Sequence, residues 1–260
     1  MNVLQNLIEL YNHLPSDSTY RGVVQGILMN LETVINSTIY DVAEITNSSK
    51  TTVWRMIQKM GYQSFTEFRL ALKQAVSNYT YYNRIVPAKM VADDNKVVEI
   101  ITHQLQNASI EIESFLSDKE LLNMVKQLAD ISQISFYFPY QSSAISSFQQ
   151  NLSMVGKKTG TYCLLPDMLE DAERLDTQSL VFCATIEHAE VQDLTKVFEL
   201  LKKQGVKIAM AASEESRYKE YVDWYLFPRW KENTVLSSLI VCEMYFFALN
   251  EMFRKYYIKD

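Results

Sequence analysis

Histidine and cysteine are scarce in this sequence, and neither is spaced to bind a metal. Each occurs three times, at scattered positions: His13, His103, His188, Cys163, Cys183 and Cys242. The cysteines are odd in number and set among apolar neighbours, which favours buried free thiols in a reducing compartment over a disulfide framework. We therefore predict a cytoplasmic protein with no metal site and no cofactor.

Long apolar runs are also lacking. No uninterrupted stretch approaches the roughly 18 apolar residues of a membrane span. The opening residues 1–14, MNVLQNLIELYNHL, have no basic cluster before their apolar part, and Glu9 interrupts them. They have the pattern of an amphipathic helix and not of a signal peptide, so we expect no membrane association.

The chain has no overall positive charge to attract nucleic acid, since its net charge is −6 at pH 7. The charge is unevenly distributed, however, because bases and acids balance through residue 78 and the excess of acids follows it. Between Asn47 and Asn78, five bases face Glu67 alone, a local excess of +4. Such a patch can bind DNA, but with few phosphate contacts a monomer would bind weakly, so we expect a homodimer or larger oligomer.

The segment 38–72 has the pattern of two short helices joined by a tight polar turn. Thr38 and Asp41 resemble an N-terminal capping arrangement, and residues 46–48 are short polar side chains that favour a turn. Ser49 is then the predicted N-cap of the second helix, bonding an amide near Thr52. This is the sequence form of a DNA-binding helix-turn-helix, and its alternative is an ordinary helical hairpin with a solvated polar face.

Helical spacing divides the second helix into an apolar inner face and a basic, hydroxyl-rich outer face. The inner positions are Val53, Met56, Ile57 and Met60. On the outer face an arginine can fork onto a guanine edge, while lysine and hydroxyl groups can hold phosphates. We predict double-stranded DNA as the partner, contacted by Ser49, Lys50, Thr51, Thr52, Trp54, Arg55 and Lys59.

A wider pattern extends through and beyond these helices. It comprises Ser49, Thr52-Val53, Arg55, Lys59-Met60-Gly61-Tyr62, Ser64-Phe65, Phe68-Arg69 and Leu72. In order and spacing it resembles the signature of the MurR/RpiR family of bacterial transcriptional regulators, with Thr51, Met60 and Tyr62 as departures. The resemblance implies a helix-turn-helix domain, a C-terminal sugar-isomerase-like (SIS) domain that senses phosphosugars, and control of carbohydrate-related genes.

Residues 1–78 are predicted to form a five-helix DNA-binding domain without strands. Besides the helix-turn-helix, the helices are expected at about 1–14, 19–36 and 64–76. Residues 79–96 lose helical periodicity and contain Pro87, so they are predicted to be a linker.

From residue 97 to residue 260 the pattern changes to an α/β class. After predicted helices at about 95–116 and 118–130, short apolar strands alternate with helices, one of them at 191–204 and closed by Gly205. The strands are expected at 134–138, 162–165, 180–184, 207–211 and 224–227. This order predicts a doubly wound parallel sheet and resembles an SIS effector and dimerisation domain. A last helix, about 234–257, is apolar on more than one face, which fits either a subunit interface or burial within its own monomer.

Glycine is missing where an SIS domain uses it. The loop after the first strand carries Gly-x-Gly-x-Ser in that family, whereas residues 138–142 here read FPYQS. The second loop, 185–190, has no glycine and adds Glu187 and Glu190, which would repel a phosphate. We predict that common phosphosugars do not bind tightly. Ser142, Ser143 and Thr185 remain as candidate contacts for a sugar-derived effector, with the aromatics of the first loop offering a stacking surface.

The alternative function is a sugar-phosphate isomerase or binding protein with an accessory helical domain. Isomerisation needs a positioned general base and usually an acid. Glu187 and His188 are the one suggestive pair, and adjacent residues on a turn point apart. We therefore predict no catalytic residues and no enzymatic activity.

Overall fold

The computed structural model describes residues 3–77, 86, 89, 96–138, 140, 142–184, 193–212, 216–226 and 234–258. The chain divides into two compact units. The first comprises residues 1–83 with the short segments 163–169 and 187–193, and the second comprises the remaining residues. Most of the predicted linker, 79–96, lies outside the described residues.

Helices make up the first unit through residue 77. They are α1 (Val3–His13), α2 (Thr19–Met29), α3 (Leu31–Val34), α4 (Ile39–Ile45), α5 (Lys50–Lys59) and α6 (Phe65–Ser77). Their apolar stripes meet in one core, which contains the fully buried side chains of Leu7, Val23, Ile27, Val53 and Phe68. The all-helical character predicted for residues 1–78 is therefore confirmed over the described part.

The prediction of a single helix over 19–36 was wrong, because Asn30 divides it. Asn30 has φ −132° and ψ 33°, outside helical geometry, and its backbone N–H bonds to the Ile27 carbonyl. Its side-chain amide donates to the Gly26 carbonyl at 2.8 Å. Asparagine competes in this way with continued helix, and the apolar spacing on either side conceals the break.

The second unit contains a parallel sheet with helices. Its helices are α7 (Val97–Phe115), α8 (Asp118–Gln127), α9 (Ser143–Met154), α10 (Leu165–Ala172), α11 (Thr195–Lys203) and α12 (Val235–Tyr257). The first residues of α10, through Leu169, are assigned to the first unit. Its strands are β1 (Gln133–Tyr137), β2 (Lys158–Tyr162), β3 (Ser179–Ala184), β4 (Lys207–Ala211) and β5 (Trp224–Tyr225). Within the described residues they form one sheet in the order β2-β1-β3-β4-β5, all parallel. The predicted α/β class is therefore confirmed.

The second strand was predicted at the wrong place. It was expected at 162–165, an apolar run, but β2 is Lys158–Tyr162 and a helix begins at Leu165. Because β2 is an edge strand, its residues are half-buried or exposed, and its sequence KTGTY lacks an apolar run. Pro166 follows in the first turn of α10, a position that tolerates proline.

The last helix belongs to the core of the second unit. Phe246 of α12 packs edge-on against Phe136 of β1 and Phe182 of β3, at ring distances of 5.9 and 5.4 Å. Its length and hydropathy would allow a membrane span, but this packing identifies it as a core helix. Burial within its own unit thus explains most of its apolar surface. Phe247 remains 47% exposed.

Candidate nucleic-acid interface and ligand crevice

A capping box fixes the start of α4, as its sequence predicts. The backbone N–H and the hydroxyl of Thr38 donate to Asp41 Oδ2 at 2.7 and 2.8 Å. In return, the Asp41 N–H donates to Thr38 Oγ1 at 3.3 Å. These bonds from the backbone and side chain of Thr38 lower the pKa of Asp41. The first helix of the pair therefore begins at a defined residue and direction.

The turn between α4 and α5 orients the second helix. Asn47 adopts φ +47°, a left-handed conformation that asparagine tolerates, and Ser48 N–H bonds back to the Ala43 carbonyl at 2.8 Å. Ser49 then caps α5, since its Oγ accepts the Thr52 N–H at 3.1 Å and lies 2.9 Å from Thr52 Oγ1. The predicted N-cap is confirmed. Both hydroxyls stay at the surface of the helix start, with Ser49 exposed and Thr52 half-buried.

The two faces of α5 separate largely as predicted. Val53, Met56 and Ile57 are fully buried. The outward residues Lys50, Thr51, Arg55, Gln58 and Lys59 are exposed. Trp54 differs from the expectation, because it is half-buried and packs against the core of the first unit. Its large ring sits between the two faces, a placement that helical spacing alone cannot resolve.

Lys50 has a partner that the sequence did not reveal. Its Nζ donates to Tyr40 Oη at 2.9 Å and lies 4.5 Å from the centre of the Tyr40 ring. Tyr40 is 62% exposed at the start of α4, and the Lys50 ammonium lowers its pKa. The contact joins residues ten apart across the turn, so local patterning gives no signal for it. It holds the ammonium at the N-terminal end of α5.

The other basic side chains of this unit differ in whether they already form hydrogen bonds within it. Arg69 donates to the Ser37 carbonyl at 3.2 Å and so connects α6 to the residue before the capping box. Arg55 and Lys59, in contrast, have no hydrogen bond or ion pair within the described residues. An arginine of this kind, exposed on a helix with a fixed start, can donate two parallel hydrogen bonds to an outside acceptor.

A second candidate site lies at the carboxyl ends of the strands. The strand order reverses between β1 and β3, and ligands of open α/β sheets bind in the crevice at such a point. Here Ser142 caps α9, with its Oγ accepting the Ile145 N–H at 3.0 Å. Ser143 Oγ donates to Glu243 Oε2 at 3.1 Å. Both predicted serines are therefore brought together at the start of α9, while Thr185 and its loop lie outside the described residues.

The aromatic residues of the first loop pack inwards. Phe138 is fully buried and lies edge-on against Phe246 and Tyr140, with ring centres 5.5 and 5.9 Å away. It therefore offers no stacking surface, contrary to the expectation, since the space between sheet and α12 takes its ring. Tyr140 is half-buried, and burial, with smaller effects from Cys242 and Glu243, raises its pKa well above the usual value.

The cysteines and acids show no metal-site geometry in the part of the chain that is described. No three His, Cys, Asp or Glu residues lie close enough there to hold a metal ion. All three cysteines are free thiols, with Cys183 and Cys242 buried and Cys163 half-buried. Burial raises the pKa of Cys183, so its thiol stays protonated.

Comparison with known proteins supports the architecture. Residues 1–79 match the family model of a helix-turn-helix domain of the rpiR family. The structure is similar to NanR of Vibrio vulnificus complexed with ManNAc-6P, with a TM-score of 0.50 and 18% identity over 98% of this chain and 92% of that one. It is also similar to the sugar isomerase domain of an RpiR transcription factor from Sphaerobacter thermophilus, with a TM-score of 0.49 and 12% identity over 62% of this chain and 92% of that one. No curated protein matches in sequence.

The rpiR match and the likeness to NanR agree with the fold described above. At its low identity the likeness to NanR concerns the fold, whereas the rpiR match covers the capped helix pair itself. A helix-turn-helix domain is thus joined to a parallel-sheet α/β domain. The chain therefore carries a helix-turn-helix domain of the rpiR family over residues 1–79, the kind of domain with which a transcriptional regulator binds DNA.

Proposed function

We propose that this regulator binds operator DNA as a homodimer through the exposed face of α5 and controls carbohydrate-related genes in the cytoplasm. The observation that carries the proposal is the start of α5. Ser49 fixes the helix direction there, and Lys50, Arg55 and Lys59 extend from its exposed face. A helix presented in this way can enter a major groove, with its N-terminal residues facing the bases.

The proposed contacts are of two kinds: those that position the protein on the DNA phosphates and those that read the bases. Lys50 and Lys59 supply charge for phosphates, and the hydroxyls of Ser49, Thr51 and Thr52 lie at the end of α5 where phosphates also bind. Arg55, one and a half turns into the helix and without a partner among the described residues, is suited to the edge of a guanine. Trp54 contributes at most the exposed part of its ring.

The second unit would supply dimerisation and the place for an effector. NanR, which shares the fold, was solved with ManNAc-6P, a phosphosugar. In this chain Ser142 is buried and Ser143 is exposed at the start of α9, while Thr185 lies outside the described residues. Both serine hydroxyls already serve contacts within the chain. This arrangement supports a regulatory domain over an isomerase, because the hydroxyls at the start of α9 are engaged in capping and in holding the Glu243 carboxylate.

Two alanine variants test the proposed division of labour. Operator fragments are first selected from genomic DNA, and binding is then followed by fluorescence anisotropy over a range of salt. Arg55→Ala is expected to cost about 1–3 kcal/mol and to relax sequence preference, since a bidentate base contact is lost. Lys50→Ala is expected to weaken binding to all sequences and to lower the salt slope by about one, since a phosphate contact is lost.

Lys119→Ala provides the matched control, because Lys119 is an exposed lysine on α8 in the other unit. It should bind DNA like the wild type. Equal losses for Arg55→Ala on operator and random DNA would remove the base-reading role given to Arg55. If the wild-type protein bound none of the genomic fragments, the proposal as a whole would be overturned.

A further inference from the structure

The carboxylate of Glu243 lies at the N-terminus of α9. Its Oε2 accepts the Ala144 N–H at 3.1 Å and the Ser143 hydroxyl at 3.1 Å. Glu243 is on α12, 100 residues away in sequence from Ser143. The contact is therefore a tertiary one, and it is distinct from the local cap that Ser142 provides.

This helix start faces the crevice of the sheet. α9 follows β1 after a short loop, and β1 and β3 flank the point where the strand order reverses. The first turn of a helix has unpaired N–H groups and the positive end of the helix dipole, which together attract anions. An anionic ligand in the crevice would therefore compete with Glu243 for the Ala144 N–H and the Ser143 hydroxyl.

The remaining donors of the first turn are largely satisfied as well. The Ile145 N–H bonds to Ser142 Oγ at 3.0 Å, and the Ser146 N–H bonds to the Ser142 carbonyl at 3.1 Å. Among the described residues no lysine or arginine is paired with Glu243. Among the described residues, the negative charge of Glu243 is therefore balanced by the N–H donors and the positive dipole end of α9. A phosphate brought to the same place would meet both occupied donors and a like charge.

We propose that Glu243 is a built-in anion that takes the place of an external ligand's phosphate at the start of α9. The inference rests on the proposed regulator function and specifies its regulation. With Glu243 in place, the crevice is closed to phosphorylated sugars, and DNA binding does not depend on them. Removing the carboxylate should uncover an anion site formed by the Ser143 hydroxyl and the Ala144 N–H.

Thermal unfolding of the full chain with inorganic phosphate tests this proposal. Chloride at matched ionic strength is the reference. Wild-type protein should show no phosphate-specific shift in Tm. Glu243→Ala should have a lower Tm than wild type without phosphate and should gain about 2 °C or more at about 10 mM phosphate, because a ligand that binds the folded state stabilises it.

Two further variants keep the result decisive. Glu251→Gln removes an exposed glutamate from the same helix and should behave like the wild type. Glu243→Gln keeps the shape and one acceptor oxygen without the charge, so it provides the phosphate test if the alanine variant does not fold. A wild-type Tm that rises with phosphate as much as that of Glu243→Ala would overturn the proposal. So would the absence of any phosphate response in both Glu243 variants.

A parallel measurement separates this proposal from the DNA-binding function. Wild-type affinity for operator DNA should be the same with and without glucosamine 6-phosphate. Loss or gain of DNA binding on adding the phosphosugar would contradict the closed crevice. Absence of DNA binding under both conditions would contradict the proposed function, while the thermal measurements would still decide the role of Glu243.

Discussion

Tyr40 links the first helix of the DNA-binding pair to the start of the second. Its hydroxyl accepts a hydrogen bond from Lys50, and its ring lies under the same ammonium. Tyr40→Leu removes both contacts, so we expect DNA affinity to fall about two- to fivefold on all sequences, the range for an exposed cation–π contact. Tyr40→Phe keeps the ring and should lose less. Fluorescence anisotropy on operator and random DNA measures both effects.

A double-mutant cycle shows whether Tyr40 acts through Lys50. In the Lys50→Ala background, Tyr40→Leu should cause no further loss of DNA affinity, because the ammonium that Tyr40 positions is absent. An undiminished loss in that background would show instead that Tyr40 contacts DNA itself.

At the scale of single helices, the capping box of α4 predicts a pH dependence. Hydrogen bonds from Thr38 lower the pKa of Asp41 in the folded chain, while the unfolded value is about 3.9. The stabilisation is therefore fully present above pH about 4 and is lost as the pH falls through the folded pKa. Asp41→Asn should lower the Tm at neutral pH, and the difference from wild type should close in acid. Circular dichroism melts from pH 7 to pH 3 measure it.

Asp17→Asn is the control for that comparison, since it removes one exposed acid from the same unit without touching the capping box. A gap between Asp41→Asn and wild type that stays constant down to pH 3 would show that the charge of Asp41 does not stabilise the cap.

Elements whose limits depend on local chemistry could be predicted from the sequence. The caps at Thr38 and Ser49 were located correctly because their bonds span three residues. The end of α11 was also marked correctly by Gly205, which has φ +73°. Strand β4 was predicted residue for residue, because the four residues after Lys207 form a buried apolar run typical of an interior strand.

Features that depend on a distant partner could not be predicted. The polar edge strand β2 is defined by its pairing with β1, and its own residues do not form the apolar pattern of a strand. The lysine contact of Tyr40 crosses a turn, and the contact of Glu243 with Ser143 crosses most of the second unit. In the sequence, Glu243 is one acid within an apolar helix, so its position at the start of α9 follows only from the tertiary fold.

At the scale of the whole molecule, α7 has more exposed apolar surface than its own unit requires. Val98, Leu105 and Ile110 are 80%, 43% and 67% exposed. Val98 and Leu105 lie seven residues apart and therefore on one face of the helix. α12, which the sequence offered as an interface, is largely used by its own core. Exposed apolar groups of this kind mark interaction surfaces, and we expect α7 to contribute to the contact of the proposed dimer.

The double variant Val98→Glu/Leu105→Glu should convert the dimer to a monomer, because it places two charges on that face. Light scattering at micromolar concentration measures the mass. DNA affinity should fall at least about tenfold, since two linked half-sites bind far more tightly than one. Met154→Glu, an equally drastic change at a 75% exposed methionine on α9, should stay dimeric.

Separated residues 1–78 should bind the same DNA as weakly as the double variant. A wild-type monomer with undiminished operator binding would contradict the requirement for a dimer, because a patch of five bases would then be sufficient for specific binding.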